Sequence, residues 1–279
     1  MAVSILFKRI ITAMIGIPVV AVAIKNGGEL FTALLLFLSV SAWLELKDML
    51  RLKGYDLFKY GSLVNILCIL SAIYYGLPGV SLLIVLAFIA GFIYALFNND
   101  NEQWLAQISA NIWGFVYTGV LFAHFSLLRN FNITQTIETV FGFMNQGEAI
   151  IWTVVLGTWA SDSFAYFFGI AFGKHKAFPT ISPKKSWEGY IAGFVLSIVT
   201  VLYVAGYVFN LDYILLVVVA ITTAVLAPLG DLMESLLKRY VGVKDSGNIF
   251  PGHGGVLDRL DSLIIALPVA YYVALFLYS

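Results

Sequence analysis

The sequence predicts an all-α, polytopic integral membrane protein with about nine transmembrane helices and a cytoplasmic N-terminus. Three observations predict this fold class. The 279 residues are 61% hydrophobic and 11% charged, whereas a soluble domain is about half apolar and about a quarter charged. Apolar runs approaching the length that crosses a bilayer recur along the chain. Basic residues cluster on alternate connections between these runs.

Each apolar run is interpreted as one transmembrane helix, because about 20 apolar residues span the hydrocarbon core. The first two runs are short and the third and fourth are separated by a tight turn, so eight or ten spans remain alternatives. We expect a single integral membrane domain over residues 1–279. The nine runs lie near residues 10–24, 30–46, 61–75, 78–97, 105–128, 149–172, 189–209, 213–229 and 260–278.

The first run has the features of either a signal peptide or an uncleaved membrane helix. Lys8 and Arg9 precede it, and the small-residue stretch at 21–23 resembles a cleavage site. Because further apolar runs follow through residue 128, an uncleaved first span is favoured.

The basic residues predict the orientation. With the N-terminus in the cytoplasm and nine spans, fourteen of the 16 Lys and Arg residues fall on the cytoplasmic side, and only Lys25 and Arg129 fall on the other. This asymmetry is the positive-inside bias of membrane proteins. The longest external loop, residues 130–148, carries no recognisable chemistry.

Composition also excludes several classes of protein. Acidic and basic residues are equal at 16 each, and no basic tail or aromatic-basic stripe predicts a nucleic-acid surface. The single cysteine, Cys68, precludes an intrachain disulfide and a cysteine zinc site. The sequence contains neither a P-loop nor the nucleophile elbow of a serine hydrolase.

The first polar segment between two predicted spans covers residues 159–189. Asp162 lies well inside an apolar run, where a carboxylate indicates either a site residue or a polar contact between helices. Further along, residues 182–186 read SPKKS. Adjacent ammonium groups flanked by hydroxyl donors suit phosphate oxygens, although a positive-inside anchor also explains a lysine pair.

The second polar segment, residues 229–262, holds nine formal charges. Asp231, Glu234, Ser235 and Lys238 recur at spacings of three and four, so a helix places them on one face. Such a density of charge in so apolar a chain favours a functional site over a solvated loop with ordinary ion pairs.

A glycine-rich stretch, KDSGNIFPGHGG at residues 244–255, interrupts this segment. Its glycines and proline prevent a continuous helix and let backbone amides approach a ligand closely. A new helix is predicted from Val256, and it places Asp258 and Asp261 on one side, where carboxylates near a helix start are favoured. We expect these two side chains to converge with Asp231.

Oxygen ligands with few histidines suit Mg²⁺, which retains water and shares its coordination with substrate phosphates. The neighbouring cations and glycine amides supply phosphate contacts. His253 is interpreted either as a phosphate contact or acid, or as a structural hydrogen-bond donor. The sequence thus predicts a site for a metal and a polyphosphate at the cytoplasmic end of the last span.

Residues 235–261 resemble the signature of the phosphatidate cytidylyltransferases (CDP-diacylglycerol synthases). The signature reads S-x-L-K-R-x4-K-D-x-G-x2-F-P-x-H-G-G-V-x-D-R-L-D here, with about sixteen specified positions in 27 residues. The upstream stretch SDSFAYFFGIAFGKHK…SPKKSWEG is also similar to the family, which tends to carry Asn where Ser161 stands. The similar stretches cover roughly the C-terminal half.

The resemblance implies that the protein transfers CMP from CTP to phosphatidic acid with Mg²⁺. It also implies that the protein is a homodimer in the membrane. Residues 1–150 would then supply membrane helices and residues 151–279 the catalytic half. Metal ligation is implied for Asp231 and Asp258, with Asp261 in support. The catalytic candidates are Asp231, Asp258, Asp261, Lys238, Arg239, Lys244, Arg259 and His253. The substrate-binding candidates are Ser182, Lys184, Lys185, Ser186, Ser235, Gly254, Gly255 and Asp162.

Two other functions remain alternatives. A lipid phosphotransferase that consumes CDP-diacylglycerol would use similar chemistry but release CMP instead of pyrophosphate. A polytopic transporter would use Asp162 and the basic loop to line an ion path, although the sequence shows no internal repeat. In each case we expect an integral protein of a bacterial inner (plasma) membrane, surrounded by lipid and without a nucleic-acid partner.

Overall fold

The computed structural model describes residues 2–97 and 103–278, and it describes only the backbone of residues 2–6 and 8. The long helices that the apolar runs predict are confirmed. Two short antiparallel hairpins are additions, β1 (Thr136–Thr139) with β2 (Gly142–Asn145) and β3 (Lys176–Phe178) with β4 (Ser182–Ser186). The helices are α1 (Ala2–Asn26), α2 (Gly28–Arg51), α3 (Gly61–Phe97), α4 (Trp104–Phe115), α5 (Leu121–Arg129), α6 (Gln146–Phe172), α7 (Trp187–Thr200), α8 (Gly206–Phe209), α9 (Tyr213–Val241) and α10 (Leu257–Tyr278).

Within the described residues, eight helical stretches are long and apolar enough to cross a membrane. Many of their large apolar side chains are exposed, as expected for helices that face lipid. The protein is therefore a membrane protein with many apolar helices. The stretches are Arg9–Asn26, Gly28–Arg51, Gly61–Phe97, Trp104–Arg129, Gln146–Phe172, Trp187–Phe209, Tyr213–Val241 and Leu257–Tyr278.

Helix α3 contains the predicted spans 61–75 and 78–97, and it is broken between them. Gly76 has φ 64° and ψ −150°, a conformation that glycine adopts without a steric penalty. A Cβ on Gly79 would lie 2.9 Å from the carbonyl oxygen of Ser71. In a straight helix, these two residues, eight positions apart, would be separated by about 12 Å along the axis. The chain therefore folds back at Gly76, and the predicted count of nine crossings stays a prediction.

A π-helical turn, Val116–Val120, joins α4 to α5. Polar side chains bind the backbone and side chain of this turn: Ser39 Oγ donates to the Thr118 carbonyl at 2.5 Å, and the Asn65 amide donates to Thr118 Oγ1 at 2.8 Å. All three residues are buried. Since a π turn disturbs the regular backbone ladder, these buried donors stabilise it.

The chain forms two compact units. The first comprises residues up to Leu127 together with Tyr240–Arg259. In its core, a Cβ on Gly114 of α4 would lie 3.2 Å from Leu46 and 3.3 Å from Trp43 of α2. Both side chains are fully buried, so the small residue lets α2 pack closely against α4.

The second unit comprises Leu128–Arg239 and the residues from Leu260 onward. Helices α6 and α7 pack backbone against backbone in this unit, because glycines lie at their contact. A Cβ on Gly189 would lie 3.3 Å from the Cα of Gly169, and one on Gly193 would lie 2.8 Å from the Ser161 carbonyl oxygen. Such small-residue contacts are typical of membrane helices.

Candidate active site

The glycine-rich loop, residues 242–256, folds around the carboxylate of Asp258 in the first unit. Asp258 Oδ2 accepts hydrogen bonds from Ser246 N at 2.8 Å, from Ser246 Oγ at 2.9 Å and from Gly255 N at 2.9 Å. Asp258 lies in the first turn of α10, so it joins the loop to the start of that helix. One predicted metal ligand thus has a demonstrable role in holding the loop.

The glycines of this loop are required by the same carboxylate. Gly254 has φ +87°, and a Cβ there would lie 2.5 Å from Asp258 Oδ2. A side chain at this position is therefore disfavoured by both backbone strain and space. The sequence predicts that glycine amides approach a ligand here; in the structure, Gly255 N approaches the protein's own Asp258.

A second carboxylate, which the sequence analysis missed, completes the loop. Glu45 of α2 is only 5% exposed. Its Oε1 accepts the N–H of Val256 at 2.8 Å, and its Oε2 accepts the N–H of Leu257 at 3.0 Å and the hydroxyl of Ser246 at 3.1 Å. Backbone amides at a helix start lack helical partners, so Glu45 caps α10.

The loop borders a cavity of about 510 Å³ that is lined mainly by polar groups. Arg9 of α1 was not among the predicted site residues, and its Nε donates to the Gly252 carbonyl at 2.8 Å. Three cationic groups and one acidic group line the cavity, which therefore suits an anion. The charged and polar residues of the lining include Arg9, Lys244, Asp245, Asn248, His253 and Arg259.

His253 is held as a neutral imidazole at this cavity. Burial lowers the pKa of His253 below its usual 6.5, and the positive charges of Arg259 and Arg9 lower it further. A His with a lowered pKa is uncharged at neutral pH. It therefore contributes a hydrogen-bonding group to the cavity and no additional cation.

In the second unit, Lys185 of β4 forms an ion pair with Asp231 of α9. Both side chains are 28% exposed. Lys185 also lies over the ring of Tyr190, with Nζ 5.6 Å from the ring centroid. Burial acts to lower the pKa of Lys185, but the charge of Asp231 and the hydrogen bond to it raise this pKa above its usual value, so the side chain stays cationic.

The predicted polar face of α9 is confirmed by two hydrogen bonds. Ser235 Oγ donates to Asp231 Oδ1 at 3.3 Å, and Lys238 Nζ donates to Glu234 at 2.6 Å. Glu234 is 1% exposed, so the Lys238 ammonium neutralises a buried charge. Lys238 thus has a structural partner within the helix.

Asp261 lies beside this face because α9 and α10 cross closely. A Cβ on Gly230 would lie 3.0 Å from the Cα of Ser262. Asp261 Oδ1 accepts the N–H of Ser262 at 2.7 Å, and its carboxylate is repelled by those of Asp231 and Asp162 and attracted by Lys238. The second unit therefore brings Asp231, Asp162 and Asp261 into one region.

The β3–β4 hairpin carries the predicted phosphate-binding residues in different settings. Lys184 is exposed and Ser182 is half-buried. Ser186 is buried and caps α7 by accepting the N–H of Gly189 at 3.2 Å, which is a structural role. Arg239 Nε donates to the Ile181 carbonyl at 3.2 Å, so its guanidinium supports the hairpin.

The predicted residues therefore divide between the two units. Among the residues that the structure describes, no group of three or more His, Cys, Asp or Glu side chains is close enough to hold a metal ion. Metal ligation by Asp231, Asp258 and Asp261 stays a prediction. Lys244, His253, Gly254, Gly255, Asp258 and Arg259 belong to the first unit, and Asp162, Ser182, Lys184, Lys185, Ser186, Asp231, Ser235, Lys238, Arg239 and Asp261 belong to the second.

These features define a class: a membrane protein with many apolar helices, a cationic cavity in its first unit and mutually repelling carboxylates in its second. The cytidylyltransferase family matches residues 7–277. The chain belongs to this family. The predicted class of enzyme, a nucleotidyltransferase, is thereby confirmed, and the transporter alternative gains no support.

Relatives of the chain include proteins named phosphatidate cytidylyltransferase. One, from Staphylococcus haemolyticus (strain JCSC1435), is 33% identical over 272 residues, which cover 94% of this chain and 96% of the relative. Another, from Staphylococcus aureus (strain COL), is 31% identical over 272 residues with the same coverage. A third, from Bacillus subtilis (strain 168), is 38% identical over 160 residues, 57% of this chain and 55% of the relative.

Proposed function

We propose that the protein transfers CMP from CTP to phosphatidic acid, forming CDP-diacylglycerol and pyrophosphate with Mg²⁺ at the cytoplasmic face of the membrane. The observation that carries the proposal is the cationic cavity that the glycine-rich loop borders. CTP carries up to four negative charges on its triphosphate, and Arg9, Lys244 and Arg259 offer three positive charges around about 510 Å³. Charge-assisted hydrogen bonds from such groups are the strong contacts of phosphate sites.

The lipid substrate needs little activation by the protein. Its phosphate monoester has a second pKa of about 6, as phosphoserine does, so it is largely deprotonated at neutral pH. The barrier is then the repulsion between two anions, and transfer depends on positioning and charge stabilisation. Lys185, which remains cationic beside Asp231, is a group that can neutralise a phosphate.

The carboxylates of the second unit fit a divalent ion. Mg²⁺ in phosphate chemistry is held by one or two carboxylates and completes its shell with water and phosphate oxygens. Asp231 and Asp261 are oxygen donors close enough to repel one another, and a cation relieves such repulsion. When bound, Mg²⁺ supplies charge stabilisation for the departing pyrophosphate. The predicted contribution of Asp258 remains a prediction.

The proposal is tested with purified protein in detergent, supplied with CTP, phosphatidic acid and Mg²⁺. We expect CDP-diacylglycerol by lipid mass analysis and one pyrophosphate per product. Asp258→Ala removes the acceptor of three loop hydrogen bonds, so we expect turnover to fall by at least roughly 100-fold. Asp56→Ala is the matched control, because the side chain of Asp56 is 80% exposed.

The leaving group discriminates between the remaining enzyme functions. Release of CMP from CDP-diacylglycerol, without pyrophosphate from CTP, would establish the alternative phosphotransferase. Normal turnover by a folded Asp258→Ala protein would refute the assignment of this loop to the active site. Titration of Mg²⁺ against EDTA tests the metal requirement. The molar mass of the purified protein in detergent tests the homodimer that the resemblance implies.

A further inference from the structure

We infer that Glu45 is a positioning residue of the active site: its buried carboxylate fixes the glycine-rich loop and the start of α10 in the geometry that binds nucleotide. The inference rests on the proposed function for its catalytic part. Its structural part concerns Glu45, Ser246 and residues 256–258, all within the first unit.

Both oxygens of Glu45 are used. Oε1 accepts from Val256 N, and Oε2 accepts from Leu257 N and Ser246 Oγ. Every partner is a donor, so an amide in place of the carboxylate would oppose an NH₂ group to at least one N–H or O–H donor. The site thus requires a group that accepts on both sides, and a carboxylate is the side chain that does so.

Ser246 connects Glu45 to Asp258. Its hydroxyl lies 3.1 Å from Glu45 Oε2 and 2.9 Å from Asp258 Oδ2, and its backbone N–H donates to Asp258 at 2.8 Å. The hydroxyl has one hydrogen and two carboxylate acceptors, and it also accepts the N–H of Asp258 at 3.3 Å. A change at Glu45 is therefore transmitted to Asp258 through a single side chain.

The glycine-rich loop packs tightly against the carboxylate of Glu45. A Cβ on Gly247 would lie 2.8 Å from the Cδ of Glu45, and one on Gly255 would lie 2.5 Å from the same atom. Two glycines thus enclose the carboxylate on the loop side. The same loop supplies His253 and Lys244 to the cationic cavity, so its position determines the position of these groups.

The experiment compares Glu45→Gln with Asp48→Asn. Both replace an acid by its amide on α2, but Asp48 is exposed. For Glu45→Gln, we expect faster amide hydrogen exchange in residues 243–258. We also expect kcat/KM for CTP to fall by roughly 10- to 100-fold through a higher KM for CTP, because displacing the groups that hold a substrate by about 1 Å costs up to roughly 100-fold. The KM for phosphatidic acid should remain within about twofold of wild type. Asp48→Asn should match wild type in both measurements.

Ser246→Ala provides a second variant in case Glu45→Gln does not fold. This variant removes the hydroxyl that lies between Glu45 and Asp258, and it leaves no buried amide. It should reproduce the selective fall in kcat/KM for CTP. The double variant should lose less than the sum of the two single losses, because both variants break the contact between Glu45 and Ser246. Unchanged exchange in a folded Glu45→Gln protein would overturn the inference, and so would faster exchange with wild-type CTP kinetics.

The measurements distinguish failure of the proposed function from failure of the inference about Glu45. If wild-type protein makes no CDP-diacylglycerol, the proposed function fails, whereas hydrogen exchange still determines whether Glu45 holds the loop. An equal loss of kcat/KM with both substrates, accompanied by a lower Tm, would assign Glu45 a general structural role and overturn the inference.

Discussion

Individual carboxylates of this protein have partners that the sequence does not reveal. Asp258 accepts three hydrogen bonds from its own loop, and Asp231 pairs with Lys185. A charged side chain in an apolar protein is stabilised by such contacts. The residues predicted for catalysis therefore also hold neighbouring groups in place, and substitutions at these positions remove those structural contacts.

The lysine pair provides a prediction at this scale. Lys185→Met removes the cation that faces Asp231, so we expect kcat/KM for phosphatidic acid and CTP to fall by roughly 100-fold or more. Lys184→Met removes a neighbouring cation that is exposed, and its effect should stay within about threefold. Steady-state kinetics on both purified variants measures the difference. Equal losses of kcat/KM in the two variants would contradict the separate role that the ion pair with Asp231 gives to Lys185.

Sequence reasoning found the charged signature but not its supporting residues. Asp231, Asp258 and Asp261 stand out because their local sequence is dense in charge. Glu45 contacts residues more than 200 positions away, and no local pattern marks that contact. Arg9 was interpreted as an orientation signal, and its hydrogen bond to Gly252 likewise depends on tertiary structure alone.

Helices are the elements that the sequence predicts best, because a long apolar run has few alternatives in a membrane. The two hairpins and the two π-helical turns, Val116–Val120 and Val201–Ala205, were missed. Each strand and each π-helical turn is five residues or shorter, and buried side chains such as Ser39 and Asn65 hold the first π-helical turn from other helices. Tertiary contacts determine these elements more than local periodicity does.

The crossing of α9 and α10 gives a prediction at the scale of the element. Gly230→Ala places a Cβ against the backbone of Asp261 and Ser262, so we expect a loss of about 1–3 kcal/mol of stability and a lower Tm in detergent. Gly16→Ala is the control, because a Cβ there meets nothing within 4 Å. An unchanged Tm for Gly230→Ala would show that the two helices separate without cost.

At the scale of the whole molecule, the distribution of charge predicts the orientation in the membrane. Fourteen of 16 basic residues are predicted on the cytoplasmic side, and this bias is the strongest determinant of topology in short loops. The eight apolar helical stretches of the described residues fit an integral membrane protein. The orientation itself remains a prediction.

Cysteine labelling tests that orientation. In a Cys68→Ser background, Phe141→Cys places a thiol at the exposed turn between β1 and β2, and Thr180→Cys places one at the exposed turn between β3 and β4. We expect a membrane-impermeant maleimide to label position 141 in intact cells and position 180 only after permeabilisation. The reverse pattern would place the N-terminus outside the cytoplasm.

The fold-back at Gly76 has a consequence for biosynthesis. The 37 residues of α3 contain no charged side chain, and a ribosome synthesises such a length in about 2–7 s at 5–20 residues per second. The two apolar segments on either side of Gly76 therefore leave the ribosome within seconds of each other. Neither segment nor the turn between them carries a charged side chain that would have to cross the lipid. We expect the pair to be inserted as one hairpin, at a rate that is independent of the membrane potential.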